Sequence, residues 1–392
     1  MAYFFSTISY SQSFYNFEYL LGKTSAANSY FPQLDVNQTV CFSIGKKMVD
    51  SELNWAQNLK KPIVGINLEY SNFGNNAILG SSYSFQPFIE MPFLKTTVKN
   101  LNIQASVGAT YITKKYDESD NWQNKGVSTH LTWSSRLFLY YKLYTNSNYN
   151  IRLSTGVSHK SNGHVKWPNQ GLNTFLVGLN LQFEKPITNN ISPETITTKA
   201  KTVKYFSIET GLGQQALSRL YNSTKNVYST GFSYGRIYDK TFKVGFGAYY
   251  RFYQAYYDYI KAEGEFINDT YPELKKNCIY NASTYGININ GEVLMNHISA
   301  VVEIGVNIDK PFYKVDYRIN NEGYINGEYF SGEIDTMYWI KRFISGKMGL
   351  KYYIWNTKNQ PRNNIAIGAL ICTNLGQADY TELNIGIIHI LK

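Results

Sequence analysis

Between residues 151 and 183, apolar and polar side chains alternate along two stretches separated by a polar turn. Ile151, Leu153, Thr155, Val157, His159 and Ser161 share one parity, while Arg152, Ser154, Gly156, Ser158 and Lys160 share the other. Successive side chains of a strand point to opposite faces, so this spacing predicts a strand whose mainly apolar row ends in a histidine and a serine. On the return stretch Asn173, Phe175, Val177, Leu179, Leu181 and Phe183 form one row, opposite Leu172, Thr174, Leu176, Gly178, Asn180 and Gln182. Here too a polar residue leads the apolar row. Trp167-Pro168-Asn169-Gln170-Gly171, between the two, has the composition of a turn.

The same alternation runs through the rest of the chain. Residues 14–21, 39–44, 63–70, 83–93, 101–111, 128–133 and 136–144 read as strands, which with the two of the hairpin at 151–183 makes nine short segments, about the eight strands of the smallest membrane barrels. In the fifth, Leu101, Ile103, Ala105, Val107, Ala109 and Tyr111 face away from Asn102, Gln104, Ser106, Gly108 and Thr110, the apolar-out and polar-in order of a barrel in lipid. Pro87 and Pro92 place residues 83–93 at an edge or barrel rim, since proline cannot donate to a ladder. A polar stretch rich in Thr and Asn, with Pro186 and Pro193 and no periodicity, reads as a linker at 184–203. Alternation then resumes at 205–212, 228–234, 242–252, 279–289, 298–308, 313–319, 337–344, 347–355, 365–372 and 381–390. The expected fold is all-β: an N-terminal eight-stranded antiparallel outer-membrane β-barrel at 13–183, then a second β-barrel-like domain at 204–392. Thr373-Asn374 faintly echoes Ser161-Asn162, but Ile371 stands where His159 would be, so a repeat would carry no catalytic pair and chance similarity explains the echo equally well.

Composition sharpens this picture. With 35 Tyr and 22 Phe the chain is 16% aromatic and only 17% charged, and no apolar run reaches the roughly 18 residues of a membrane-crossing helix. Any crossing must use closed strands, which satisfy the backbone in lipid; a soluble β-sandwich is the other fold the pattern admits. The net charge of +10 is spread along the chain, and no basic run interleaved with aromatics forms a nucleic-acid groove. It suits anionic lipid headgroups or a generally basic surface. Cys41, Cys278 and Cys372 lack metal-ligand spacing and read as packing residues, so no metal or cofactor is called for. Asp117, Glu118 and Asp120 in the loop at 113–125 offer a cation site or ordinary loop charge. Residues 1–12 have a short apolar core followed by small residues but no basic start, as a signal-peptide remnant or a frayed strand would.

His159 and Ser161 are the candidate chemistry. An imidazole two positions along the same strand face sits beside a serine hydroxyl, which is a poor nucleophile until its proton is removed. Asn162, Asn169 and the backbone N–H groups near Gly163 could donate to a developing oxyanion, and Asn173 could hold the imidazole by its other nitrogen. The blander reading makes these interfacial polar residues at a strand tip. Outward parity favours a lipid substrate, because a nucleophile on that face meets the bilayer.

His159-Lys160-Ser161-Asn162-Gly163, followed by Pro168-Asn169-Gln170-Gly171-Leu172-Asn173, resembles the outer-membrane lipid A 3-O-deacylases, also known as acyloxyacyl hydrolases. Weaker family-like features lie at Trp55 with residues 62–70, at Leu79-Gly80, at 87–93 and at 121–124. The resemblance covers about residues 13–183. It implies a barrel in the outer membrane of a Gram-negative bacterium, reached by export through a signal peptide incomplete in this chain. It also implies a serine carboxylic-ester hydrolase acting on lipid A of lipopolysaccharide among outer-membrane lipids. In that reading His159 is general base, Ser161 nucleophile, Asn169 an oxyanion donor and Asn162 a support of the turn. One departure is notable: the family places a glutamate where this chain has Asn173. A phospholipase would use the same residues on another ester. The competing function is a catalytically weak or inactive two-domain barrel with a structural, binding or transport role.

Overall fold

The computed structural model describes residues 12–26, 31–49, 51–93, 100–184, 202–262, 264–325, 328–331 and 336–391. The expected signal remnant and most of the expected linker lie outside the described residues. The chain divides into two compact units, one around each barrel.

The first sheet contains β1 (Gln12–Thr24), β2 (Asn37–Lys47), β3 (Ile63–Asn72), β4 (Ser81–Pro92), β5 (Leu101–Ile112), β6 (Leu131–Thr145), β7 (Tyr149–Ser161) and β8 (Leu172–Glu184). Neighbours in sequence pair antiparallel, and β1 closes on β8, giving an eight-stranded barrel with no free edge. Its polarity is inverted relative to a soluble protein. Tyr15, Phe17, Tyr19, Phe42, Leu68 and Phe175 are exposed on the outside, while Glu18, Glu69, Glu90, Arg136, Arg152 and Lys160 are buried within. Among the described residues, two ionic groups lie in the lumen. Glu18, Arg136, Glu69 and Lys160 form a chain with contacts of 2.7, 3.2 and 2.9 Å, and Arg152 meets Glu90 at 2.5 Å. At the end where β7 stops, the lumen is covered by an apolar cluster of Phe31, Phe73, Leu79, Ile112, Val127 and Leu172.

One sequence expectation needs correction here. Pro87 lies in the middle of β4, paired with Ile66 of β3, and not at a rim. It is tolerated because the ladder from β4 to β5 is interrupted at Gln86 and Pro87, where no N–H is required. Between β2 and β3, Trp55 is buried in a short helix, α1 (Asn54–Asn58).

The second sheet contains β9 (Thr202–Gln215), β10 (Lys225–Tyr238), β11 (Phe242–Tyr253), β12 (Ser283–Met295) and β13 (Ile298–Asp309), closed by three later strands. A two-stranded ribbon, β14 (Glu322–Ile325) with β15 (Glu328–Ser331), stands apart from it, before β16 (Ile344–Tyr353), β17 (Asn363–Asn374) and β18 (Gln377–Leu391) return the chain to β9. This too is a closed eight-stranded antiparallel barrel with an ionic interior. Lys243 meets Glu292 at 2.8 Å, Lys347 meets Glu382 at 3.4 Å, and Lys351 pairs with Glu209. Eight strands enclose only enough room for side chains.

One end of this barrel has short turns, after β10 and β12. The other carries helices: α2 (Gln254–Lys261) and α3 (Cys278–Asn281) after β11, α4 (Tyr313–Asn321) and α5 (Thr336–Phe343) after β13. Residues 313–319, expected to be a strand, are therefore helical, as are the expected strand at 337–344 up to Phe343 and the start of the one at 279–289. Short apolar runs fit both periods, and tertiary stacking decided the outcome. Tyr313, Tyr317 and Tyr338 pack together, and Trp339 stacks on Phe343 one turn along at 5.9 Å. Tyr253, Tyr256, Phe312 and Val315 belong to the apolar cluster beneath this cap.

Candidate active site

β7 and β8 place the site by strict alternation. Lys160 points inward to Glu69, so the residues on either side, His159 and Ser161, take the outward row after Val157. β8 brings Asn173 directly across from His159. The histidine Nδ1 lies 2.6 Å from Asn173 Oδ1. An amide oxygen can only accept, so Nδ1 carries the proton in this contact and Nε2 is left as the basic nitrogen. The backbone of Asn173 is held as well, its carbonyl accepting from Ser25 N–H at 2.7 Å.

Ser161 ends the strand and is only 6% exposed, less open than parity alone implies. Asn169 reaches back to it across the turn. Its Oδ1 accepts from the Asn162 N–H at 2.9 Å, which fixes the amide orientation, and its Nδ2 donates to Ser161 Oγ at 3.0 Å. Asn162 has a different task. Its side-chain amide donates to buried Ser128 at 3.1 Å, so it braces the turn instead of pointing at the serine oxygen. Gly163 and His164 both adopt left-handed backbone, at φ +65° and +71°, and reverse the chain just after the strand. The His164 ring packs edge-on against Trp167 at 4.7 Å, and burial drives its pKa down to about 4, leaving a neutral ring there.

The turn is supported from the loop after β5: Gln170 N–H donates to Lys125 O at 3.2 Å and Gly171 N–H to Gly126 O at 2.9 Å. Gly171 matters for a second reason. It has φ +76°, and a Cβ there would lie 2.8 Å from His159 Cε1, so the missing side chain is the space the imidazole occupies. Sequence reading did not single out Gly171 as part of the site, nor Ser128 or Ser25.

Asp117, one of the three loop acids, is engaged locally, accepting from Ser119 Oγ at 2.8 Å and Asp120 N–H at 3.2 Å. Among the described residues no cluster of three or more His, Cys, Asp or Glu is placed to hold a metal. The second barrel provides an internal comparison. His389 Nδ1 lies 2.6 Å from Asn363 Oδ1 across β17 and β18, the same tether as in the first barrel. The same-row neighbours of His389 are Ile387 and Leu391, not a serine. A tethered histidine alone is thus not the signature; the serine and the asparagine facing it are what set the first barrel apart.

A closed barrel, apolar outside and charged inside, with a polar serine–histidine rim on its outer face, defines an outer-membrane β-barrel protein. Residues 47–182 match the family model for lipid A 3-O-deacylase (PagL). The first barrel thus resembles that family, in a longer chain with a second barrel beyond the match. Among solved structures, the outer membrane enzyme PagL is 17% identical, with 44% of this chain and 99% of that one covered and a TM-score of 0.29. OccAB4 of Acinetobacter baumannii is 10% identical over 98% of both chains, with a TM-score of 0.21. OprB of Pseudomonas putida is 9% identical over 97% of this chain and 93% of its own, with a TM-score of 0.18. No curated protein matches.

Proposed function

We propose that the first barrel is a lipid esterase that removes an ester-linked acyl chain from lipid A by a serine–histidine mechanism. Ser161 Oγ attacks the acyl carbonyl while His159 Nε2 takes its proton. The carbonyl oxygen, now negative, receives the Nδ2–H of Asn169. The histidine returns the proton to the sugar oxygen as the ester bond breaks, and water then releases the fatty acid from Ser161 by the same path in reverse. Asn173 acts on the imidazole and not on substrate: it keeps the proton on Nδ1. The observation that carries this reading is Ser161 facing the Asn169 Nδ2 donor at 3.0 Å, two residues along the rim from a histidine tethered by Asn173. The rim position suits a substrate whose acyl chains lie in the outer leaflet.

The second reading, a weak or inactive barrel, draws on the same residue, because an asparagine orients a histidine without neutralising its charge. The two separate on one experiment. Lipopolysaccharide with a full set of acyl chains is incubated with the purified protein in detergent, and lipid A is analysed by mass. Loss of one acyl chain with wild type and none with Ser161→Ala is expected. An unchanged acyl pattern with wild type across a range of pH would sink the esterase reading, and so would undiminished activity in Ser161→Ala.

A further inference from the structure

The helix α5 is amphipathic but turned the unusual way round. Its buried residue is Tyr338, 3% exposed, which packs on Tyr313 at 5.7 Å and Tyr317 at 5.2 Å. Helical residues are about 100° apart, so Tyr338 and Arg342 share the side toward the protein, and Trp339, Phe343, Ile340 and Met337 sweep the other. Met337, Trp339 and Phe343 are 44%, 46% and 41% exposed. An ordinary surface helix buries its apolar stripe against the core. This one presents it outward.

The helix is fixed in that attitude from β13. Arg342 Nη2 meets Asp309 Oδ1 at 3.3 Å, and its carbonyl accepts from Asn307 Nδ2 at 2.7 Å. The other carboxylate oxygen of Asp309 accepts from Tyr280 O–H at 2.5 Å, so a single residue at the end of β13 clamps both α3 and α5. α3 adds exposed Ile279. Directly below runs the exposed outer row of β13, Val302, Ile304, Val306 and Ile308. Phe343 leads straight into Ile344, which pairs with Val306. The apolar side of α5 is therefore continuous with the lipid-facing wall of the barrel.

We propose that α5 is an interfacial anchor lying in the boundary between acyl chains and headgroups of the outer leaflet, with Trp339, Phe343 and Met337 as its inserted residues. The helix stands at the end with long insertions, the external end of such barrels, whose short turns face the periplasm. Indole is suited to that depth because its ring is apolar and its N–H polar. Arg342, already neutralised by Asp309, lies over the Trp339 and Phe343 rings at 5.7 and 5.6 Å and stiffens them as one unit.

The test uses the full chain in phosphatidylcholine vesicles whose acyl chains carry bromine either near the headgroup or near the chain end. The tryptophan emission of wild type minus that of Trp339→Phe isolates Trp339. The expected result is strong loss of this difference emission with shallow bromine, less with deep bromine, and protection from aqueous iodide. Quenching by iodide with none by either lipid would place Trp339 in water and overturn the proposal. Insensitivity to all three quenchers would place it under protein, a second copy included, and overturn it equally. Should Trp339→Phe fail to fold, a nitroxide on Met337→Cys in a Cys278→Ser chain gives the same answer by collision with dissolved oxygen or with a polar nickel complex; a preference for nickel refutes the anchor.

Discussion

Replacing Asn173 by aspartate is the sharpest single perturbation of the site, because it preserves shape and adds only charge. Asn173 Oδ1 already sits 2.6 Å from His159 Nδ1, so the proton is already directed, and in the proposed reaction the gain is confined to attraction between a carboxylate and the imidazolium formed when Ser161 gives up its proton. With charge centres about 4 Å apart, Coulomb's law gives ~1 kcal/mol in water and ~4 kcal/mol at an effective dielectric near 20. Both residues are exposed at the barrel rim, which favours the lower part of that range. A gain of ~1–2.7 kcal/mol in the transition state corresponds to a rate increase of about 5- to 100-fold. Asn173→Leu has the opposite effect, since it frees the ring; a misdirected imidazole in a triad costs up to ~10⁴ in rate. The assay is the initial rate of fatty-acid release from lipopolysaccharide at fixed pH, with folding checked by the heat-dependent gel mobility of the barrel. An Asn173→Asp protein that folds and runs no faster than wild type would refute the view that Asn173 supplies orientation without charge.

Three further outcomes are expected. Gly171→Ala sets a methyl 2.8 Å from His159 Cε1 at a left-handed position that itself costs about 1–2 kcal/mol, so activity should fall at least about tenfold while the barrel persists, as read by rate against gel mobility. Glu69→Gln leaves Lys160 and Arg136 facing one another without their shared carboxylate, a loss of about 3–5 kcal/mol seen as a lower urea midpoint in detergent, much of it restored by adding Lys160→Met. In the cap of the second barrel, burial lifts Asp316 from 3.8 to about 7, with Lys310 pulling it down and Asp379 pushing it up. A raised pKa in the folded state means this stabilisation is complete below pH 3.8 and is lost as pH rises through about 7. Limited proteolysis of the cap should therefore quicken between about pH 4 and 7 and level off above, and Asp316→Asn should flatten that dependence.

Much of this architecture is written in residue parity. Inward Gln104 and Thr110 against outward Ala105 and Tyr111 suffice to build β5 the right way round, because a strand has two faces and lipid covers one of them. Pairing His159 with Ser161 needs nothing more than the same count of two. The cap was illegible for the same reason. Tyr313, Val315, Tyr317 and Ile319 alternate like a strand, yet Tyr313 and Tyr317 are also one helical turn apart, and only their meeting with Tyr338, distant in sequence, selects the helix. Pro87 misled because the rule concerns a missing N–H, and a closed barrel with a locally interrupted ladder needs none there. The roles of Asn162 and Asn169 look interchangeable as letters. They separate in space because one amide faces Ser128 and the other Ser161.

The alternation His159-Lys160-Ser161 also bears on how the barrel is assembled. A slip of one residue in the register of β7 would exchange its faces throughout, since the side-chain period is two. The mistake would carry two faults together: the ammonium of Lys160 would leave Glu69 for the bilayer, and the histidine and serine would turn away from the lipid surface into the lumen. A strand inserted out of register would thus take both residues off the lipid-facing rim and would also strand a carboxylate and an ammonium without each other. Correct threading and the outward placement of His159 and Ser161 are secured by the same ion pair, so a strand that fails one test of insertion fails both.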